Sequence, residues 1–205
     1  MRFVHAILAL AGAVAAQTDT LASVKAAFED AGIVGDVIPA FDPQVLLTVS
    51  FPGTGAFAAG TLLTPAQARQ RPTFAIPAAL GAGKTFLVAE VDPDAPTPQN
   101  PSSAQIRHFL APDFVLAAGS GATTLVNGTR ALSDYRGPSP PAGSDPHRYT
   151  ILLFEQAHAG VTPPPDFNAG NIAGFDIQHF VDEVNAAGTN TLTLVGGTFF
   201  RSQTV

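Results

Sequence analysis

Cysteine is absent from all 205 residues, so no disulfide framework is available and packing alone must hold the fold. Charge is scarce too: Asp, Glu, Lys and Arg make up 13% of the chain, while 46% is hydrophobic, a balance that excludes an intrinsically disordered polymer. Beyond the N-terminus no apolar run is long enough to cross a bilayer, and the polar stretch RSQTV lacks the hydrophobic tail of a lipid-anchor signal. No internal repeat is visible, which makes one domain with a sizeable core the default. No GxSxG elbow occurs, and Ser139 stands between two prolines, a poor setting for an activated nucleophile, so no enzymatic activity is expected. No local pair of residues has zinc-like spacing, and neither a metal nor a cofactor is expected. The formal net charge of −6 opposes nucleic acid and anionic membrane surfaces as broad partners, so any anion must be bound locally.

The N-terminus has its own composition. Arg2, an uncharged apolar run and AVAAQ have the basic start, hydrophobic middle and small-residue cleavage site of a secretory signal over residues 1–16. The expectation is a secreted, extracellular product beginning at Gln17, with a single domain over 17–205. Asn127-Gly128-Thr129 is an N-glycosylation sequon placed where Asn-Gly would also make a tight turn.

Nineteen glycines and eighteen prolines punctuate runs rich in Val, Phe, Thr and Leu, a pattern of short strands rather than long helices. Strands are expected over Val45–Phe51, Thr61–Thr64, Thr73–Ile76, Phe86–Val91, Arg107–Ala111 and Tyr149–Glu155, and as two short pieces over Thr191–Val195 and Thr198–Arg201. Thr20–Ala31 reads as a helix, with Leu21, Val24 and Phe28 on one face and Asp19 or Thr20 as its cap. Pro65–Gln70 could begin a helical turn. Phe175, Ile177, Phe180, Val181 and Val184 recur at helical spacing within Ala173–Ala187, which Gly188 would terminate. Strands with a helix packed on late make a β-rich α+β domain.

The chemistry concentrates in Glu90–Leu110, EVDPDAPTPQNPSSAQIRHFL. Proline fixes its own φ and keeps the preceding residue extended, so Asp92 and Asp94 are presented on a stiff loop at a strand end before the chain returns through His108. Gly137–Tyr149, GPSPPAGSDPHRY, repeats the design and delivers His147 to the next apolar strand. Two such loops suggest one pocket. Taken singly each residue has an ordinary explanation, since Asp-Pro starts turns and a histidine beside Phe109 can simply sit in the core. Asp94 is expected to be structural. His5, His158 and His179 match no ligand spacing, and Arg136 and Arg148 border the loops.

DPDAP, the His of RHFL sixteen residues later, SDYRGPSPP, PHRYTILLFEQ, FDIQHFVDEV and GGTFFRSQ together resemble the phosphatidylethanolamine-binding protein family over most of the chain. The resemblance implies a PEBP-like fold: a large antiparallel sheet, a smaller second sheet and peripheral helices including a C-terminal one. It also implies a small anion pocket for phosphate-type groups or phospholipid head groups. Asp92, His108 and His147 would form it, with Pro96, Pro140 and Pro141 as walls and Tyr149 nearby. The chain departs from the family pattern at Ile106, where an aromatic is common, at Gly143-Ser144-Asp145, where a GTG turn is common, and at Thr97-Pro98, where Ser-Arg is common. Weakened or altered head-group affinity follows. Some relatives, fungal ones among them, block serine carboxypeptidases, so protease inhibition is the alternative function. It would use exposed surface such as Gln17–Leu21, and a carboxypeptidase would then be the partner.

Overall fold

The computed structural model describes residues 19–119, 121 and 123–204. Residues 1–16, expected to be a secretory signal, and Gln17 lie outside the described residues. Helix α1 (Leu21–Asp30) starts where the sequence places it: the Ser23 N–H donates to Thr20 Oγ1 at 3.0 Å, and the Thr20 N–H donates back to Ser23 Oγ at 2.8 Å. That reciprocal pair satisfies donors that the first turn would leave open. Asp19 has another task, its Oδ2 accepting the Ala59 N–H at 2.9 Å. Val24 and Phe28, one turn apart, are the buried face, and Phe28 stacks on Phe41 with ring centroids 4.0 Å apart. Single turns α2 (Ile33–Asp36) and α3 (Ala78–Gly81) were not legible in advance, being too short for a periodic signal. Residues 65–68 form turns and no helix. Helix α4 (Ile177–Ala186) buries Ile177, Phe180, Val181 and Val184 as the spacing predicts. It begins four residues later than expected, because Phe175 instead exchanges two backbone hydrogen bonds with Gln105, at 2.9 and 3.0 Å, and Asp176 caps the helix.

The strands are β1 (Thr48–Phe51), β2 (Gly55–Ala56), β3 (Thr61–Leu63), β4 (Thr73–Ala75), β5 (Thr85–Asp92), β6 (Ile106–Leu116), β7 (Thr124–Asn127), β8 (His147–Gln156) and β9 (Leu192–Ser202). They run in the order β2-β1-β4-β7-β6-β5-β8-β9-β3, antiparallel throughout except for β3 against β9. This is the expected β-rich PEBP-like architecture. The smaller sheet implied by the resemblance is continuous with the larger one, since β4 hydrogen-bonds to β7 and β7 to β6. Central β5 is buried on both faces, which is why it reads as an unbroken apolar run. Phe86 and Val88 point into one core with Phe109, Phe114 and Phe200, while Leu87, Ala89 and Val91 point into the other, beneath α1 and α4.

β1 begins three residues later than expected, at Thr48, and β8 two residues earlier, at His147, but β6 and β9 depart furthest from the sequence reading. β6 runs on past Ala111 because Pro112 falls in a bulge, where a missing N–H is tolerated, and Asp113 takes φ 64°. The extension pairs with β7, a strand whose Asn-Gly end reads as a turn. The two C-terminal strands are one: Gly196 and Gly197 do not interrupt β9 but let neighbours approach. A Cβ on Gly197 would stand 2.8 Å from the Ile151 carbonyl oxygen and 3.2 Å from the Phe28 ring, and one on Gly196 would collide with the Val45 carbonyl.

Candidate functional site

β5 and β8 are hydrogen-bonded neighbours, so the end of one and the start of the other share a sheet margin. Asp92 closes β5 and His147 opens β8, and the His147 Nδ1–H donates to Asp92 Oδ2 at 2.8 Å. Both are withdrawn from solvent, at 3% and 1% exposure. Asp92 is itself held by its loop, since Oδ1 accepts the Asp94 N–H across Pro93 at 2.7 Å. On the far side of the imidazole, Nε2 lies 3.0 Å from Ser144 Oγ, whose hydroxyl donates to the Asp145 carbonyl at 2.9 Å. A hydroxyl that has given its proton elsewhere can only accept from the ring, and a carboxylate accepts only. With hydrogen on both ring nitrogens, the imidazolium is held between the Asp92 carboxylate and the Ser144 hydroxyl oxygen. Burial opposes that charge, but the hydrogen bond and charge of Asp92, with Asp94 behind it, outweigh burial and raise the His147 pKa above its ordinary value.

His108 is in the opposite condition. Its Nδ1–H donates to the Arg136 carbonyl at 2.7 Å, which leaves Nε2 without a hydrogen-bond partner among the described residues. Burial, only partly offset by the Arg136 carbonyl and Asp92, pulls its pKa below the usual histidine value, so the ring is neutral at pH 7 and Nε2 is a lone pair. Tyr149 stands between the two imidazoles, edge-on to His108 at 5.0 Å and nearly parallel to His147 at 6.4 Å, with its other face stacked on Phe200 at 5.0 Å. Asp92, His108, His147 and Tyr149 thus come together as one cluster. Of the three prolines, Pro140 is buried while Pro96 and Pro141 are exposed. The Pro140 carbonyl accepts from Thr204 Oγ1 at 2.7 Å and the Ser144 carbonyl from Gln203 Nε2 at 3.0 Å, so the tail after β9 ties down the second loop.

Asp94 is structural, as expected. It takes the Arg148 backbone N–H at 2.7 Å and the guanidinium at 2.6 and 2.9 Å, while Arg148 Nη1 reaches the Ala31 carbonyl at 2.7 Å and Asp36 at 2.9 Å. Arg148 is thereby committed to joining β8 to the end of α1. The carboxylate introduced at Asp145 is engaged, its Oδ2 accepting from Gln99 Nε2 across the two loops at 2.6 Å. Ser144, in the same divergent tripeptide, has a role that its sequence position did not announce. Two further residues escaped the sequence reading altogether. Glu90 lies fully buried on the site's side of β5 with neither carboxylate oxygen partnered, and Arg107, beside His108, is buried with its side chain among Phe167 and Phe175. An acid inside an apolar strand and a base before the site histidine were the available signals. Among the described residues no three His, Cys, Asp or Glu side chains are grouped as metal ligands.

A family model described as phosphatidylethanolamine-binding protein matches residues 40–200. This chain belongs to that family. The carboxypeptidase Y inhibitor of Saccharomyces cerevisiae is 31% identical over 152 residues, covering 61% of this chain and 69% of the relative. A solved structure of a carboxypeptidase Y inhibitor complexed with its cognate proteinase superposes with a TM-score of 0.75 at 26% identity, covering 92% of this chain and 98% of that one. The phosphatidylethanolamine-binding protein of Plasmodium vivax shares the fold, with a TM-score of 0.66 at 19% identity over 89% of this chain and 98% of that one. Family and relatives are those of binding proteins and protease inhibitors.

Proposed function

We propose that this PEBP-family chain is a secreted, non-catalytic binding protein whose Asp92–His108–His147 cluster takes a phosphate-type group, free or as the head group of a phospholipid. The observation that carries the reading is the unshared His108 Nε2 beside the Asp92-paired ring of His147. Both His147 ring nitrogens are engaged, so direct contact with the oxyanion falls to His108. Neutral His108 can accept a proton from a phosphate hydroxyl, and once protonated it donates a charge-assisted hydrogen bond. Pro96, Pro140 and Pro141 shape the approach, and Tyr149 fixes the ring. Secretion rests on the leader pattern of residues 1–16.

Affinity for inorganic phosphate and phosphoethanolamine is expected to be greater at pH 5 than at pH 8, because His108 charges only below its depressed pKa. Calorimetric titration at both values, on the native chain and on His108→Ala, measures this; phosphatidylethanolamine vesicles as a second arm separate lipid from free anion. Affinity that is flat across this range, or unchanged by His108→Ala, would remove the reading.

The likeness to a carboxypeptidase Y inhibitor in complex with its proteinase favours a second reading, inhibition of a serine carboxypeptidase. Of the segment Gln17–Leu21 the described part is Asp19–Leu21, and Leu21 is exposed. Assaying carboxypeptidase Y with the chain begun at Gln17 and again at Ser23 tests it: inhibition lost with the segment supports this reading, and no inhibition by either form rejects it.

A further inference from the structure

Arg107 and His108 are consecutive in β6, and their side chains serve opposite sides of the sheet. Arg107 is 1% exposed and lines a cavity of about 140 Å³ beneath the loop that leads into α4. Its Nη2 donates to the carbonyls of Asn168 and Asn171, both at 3.0 Å, and its guanidinium lies 4.5 and 4.8 Å from the ring centres of Phe167 and Phe175. Its Nε–H is buried without a partner, Nη1 makes no hydrogen bond among the described residues, and no salt bridge there involves the guanidinium. A desolvated guanidinium offset only by carbonyl dipoles and ring faces attracts an anion. Phe167, Phe175 and Phe180 close the apolar side, their rings 5.6 to 6.4 Å apart. At the rim the two acids are already engaged: Asp166 with His179 Nε2 at 2.9 Å, and Asp176 with the His179 N–H at 3.0 Å.

We propose that this cavity is a second binding site, for a small aromatic monocarboxylate whose ring packs on the three phenylalanines and whose carboxylate accepts from the Arg107 guanidinium. The volume matches the ligand, since an engineered apolar cavity of about 150 Å³ takes up benzene. The donor matches it as well, since a guanidinium with no carboxylate of its own forms charge-assisted hydrogen bonds with one.

The test is a titration of the full chain with sodium benzoate, followed by two-dimensional NMR at the Arg107 guanidinium N–H groups and at the amides of residues 166–180. Benzyl alcohol, which has the ring without the charge, and acetate, which has the charge without the ring, are the control ligands. Benzoate is expected to shift these signals saturably and to bind about ten-fold or more tightly than either control, the difference that a charged hydrogen bond makes. Arg107→Met removes the preference for benzoate over benzyl alcohol. Because Arg107 also anchors residues 168–171, Ala173→Phe provides a second variant that fills the cavity with the guanidinium intact, and it abolishes the benzoate shifts. His108→Ala leaves the benzoate response unchanged, which separates this site from the phosphate reading. Equal binding of benzoate and benzyl alcohol, no saturable shift in the native chain, shifts centred on His108, or an undiminished response in Ala173→Phe would each overturn the proposal.

Discussion

An imidazole bonded on both sides keeps its protons only while both partners stay in place, and the consequence for His147 is a dependence of stability on pH. Its folded pKa is raised above the unfolded value of about 6.5, so its pairing with Asp92 contributes fully below that pH and is lost as pH rises through the folded value. Asp92→Asn keeps an oxygen for the Asp94 N–H but replaces the charged acceptor of the His147 Nδ1–H with an amide NH2. It should cost about 3 kcal/mol at pH 5.5 and much less at pH 9, as read by urea unfolding; an equal cost at both values would contradict a charged His147. Glu90 has the opposite effect. Burial first, then the charge of Asp92, hold its carboxyl well above the usual range, and it stands level with Ile151 and Thr198 on adjacent strands without a hydrogen bond. An acid with a raised folded pKa takes up a proton to fold, so it lowers stability progressively as pH rises above about 4.3. Glu90→Leu is expected to stabilise the protein by about 1–3 kcal/mol at pH 7.5 and by less at pH 4; a lower melting temperature at pH 7.5 would show that Glu90 has a partner.

At the scale of elements, β9 shows how far local pattern can be trusted. Two adjacent glycines read as a break, yet the strand continues through them because Val45, Ile151 and Phe28 press against their backbone. Gly197→Ala should therefore cost about 1–3 kcal/mol by overpacking, checked by thermal melting. A neutral result would mean that the β8–β9 spacing yields easily. Elements with strong periodicity or capping chemistry, α1, β5, β8 and the body of α4, were legible in the sequence. β2, β7, α2 and α3 were not, because two to four residues carry no period and their placement is settled by distant neighbours. The same division runs through the site. Asp92 and His147 stand out between prolines, whereas Ser144 and the Arg136 carbonyl become partners only through folding, and a backbone carbonyl leaves no trace in a side-chain pattern.

For the whole molecule, the sheet joins residues remote in sequence, and the site is assembled by that joining. The first loop supplies Asp92, the second His147, the stretch before it a carbonyl to His108, and the residues after β9 pin the second loop through Pro140 and Ser144. This convergence explains why several spaced motifs identified the family while each alone did not. The strand order has a further effect during synthesis. β9 comes last of the strands yet lies between β8 and β3, so a growing chain carries the bare edge of β8, a ten-residue template for unwanted pairing, until residues beyond 192 leave the ribosome. Ribosome-bound intermediates of this protein are thus predisposed to associate with one another, and to need a chaperone's shelter, at the step just before the sheet is sealed.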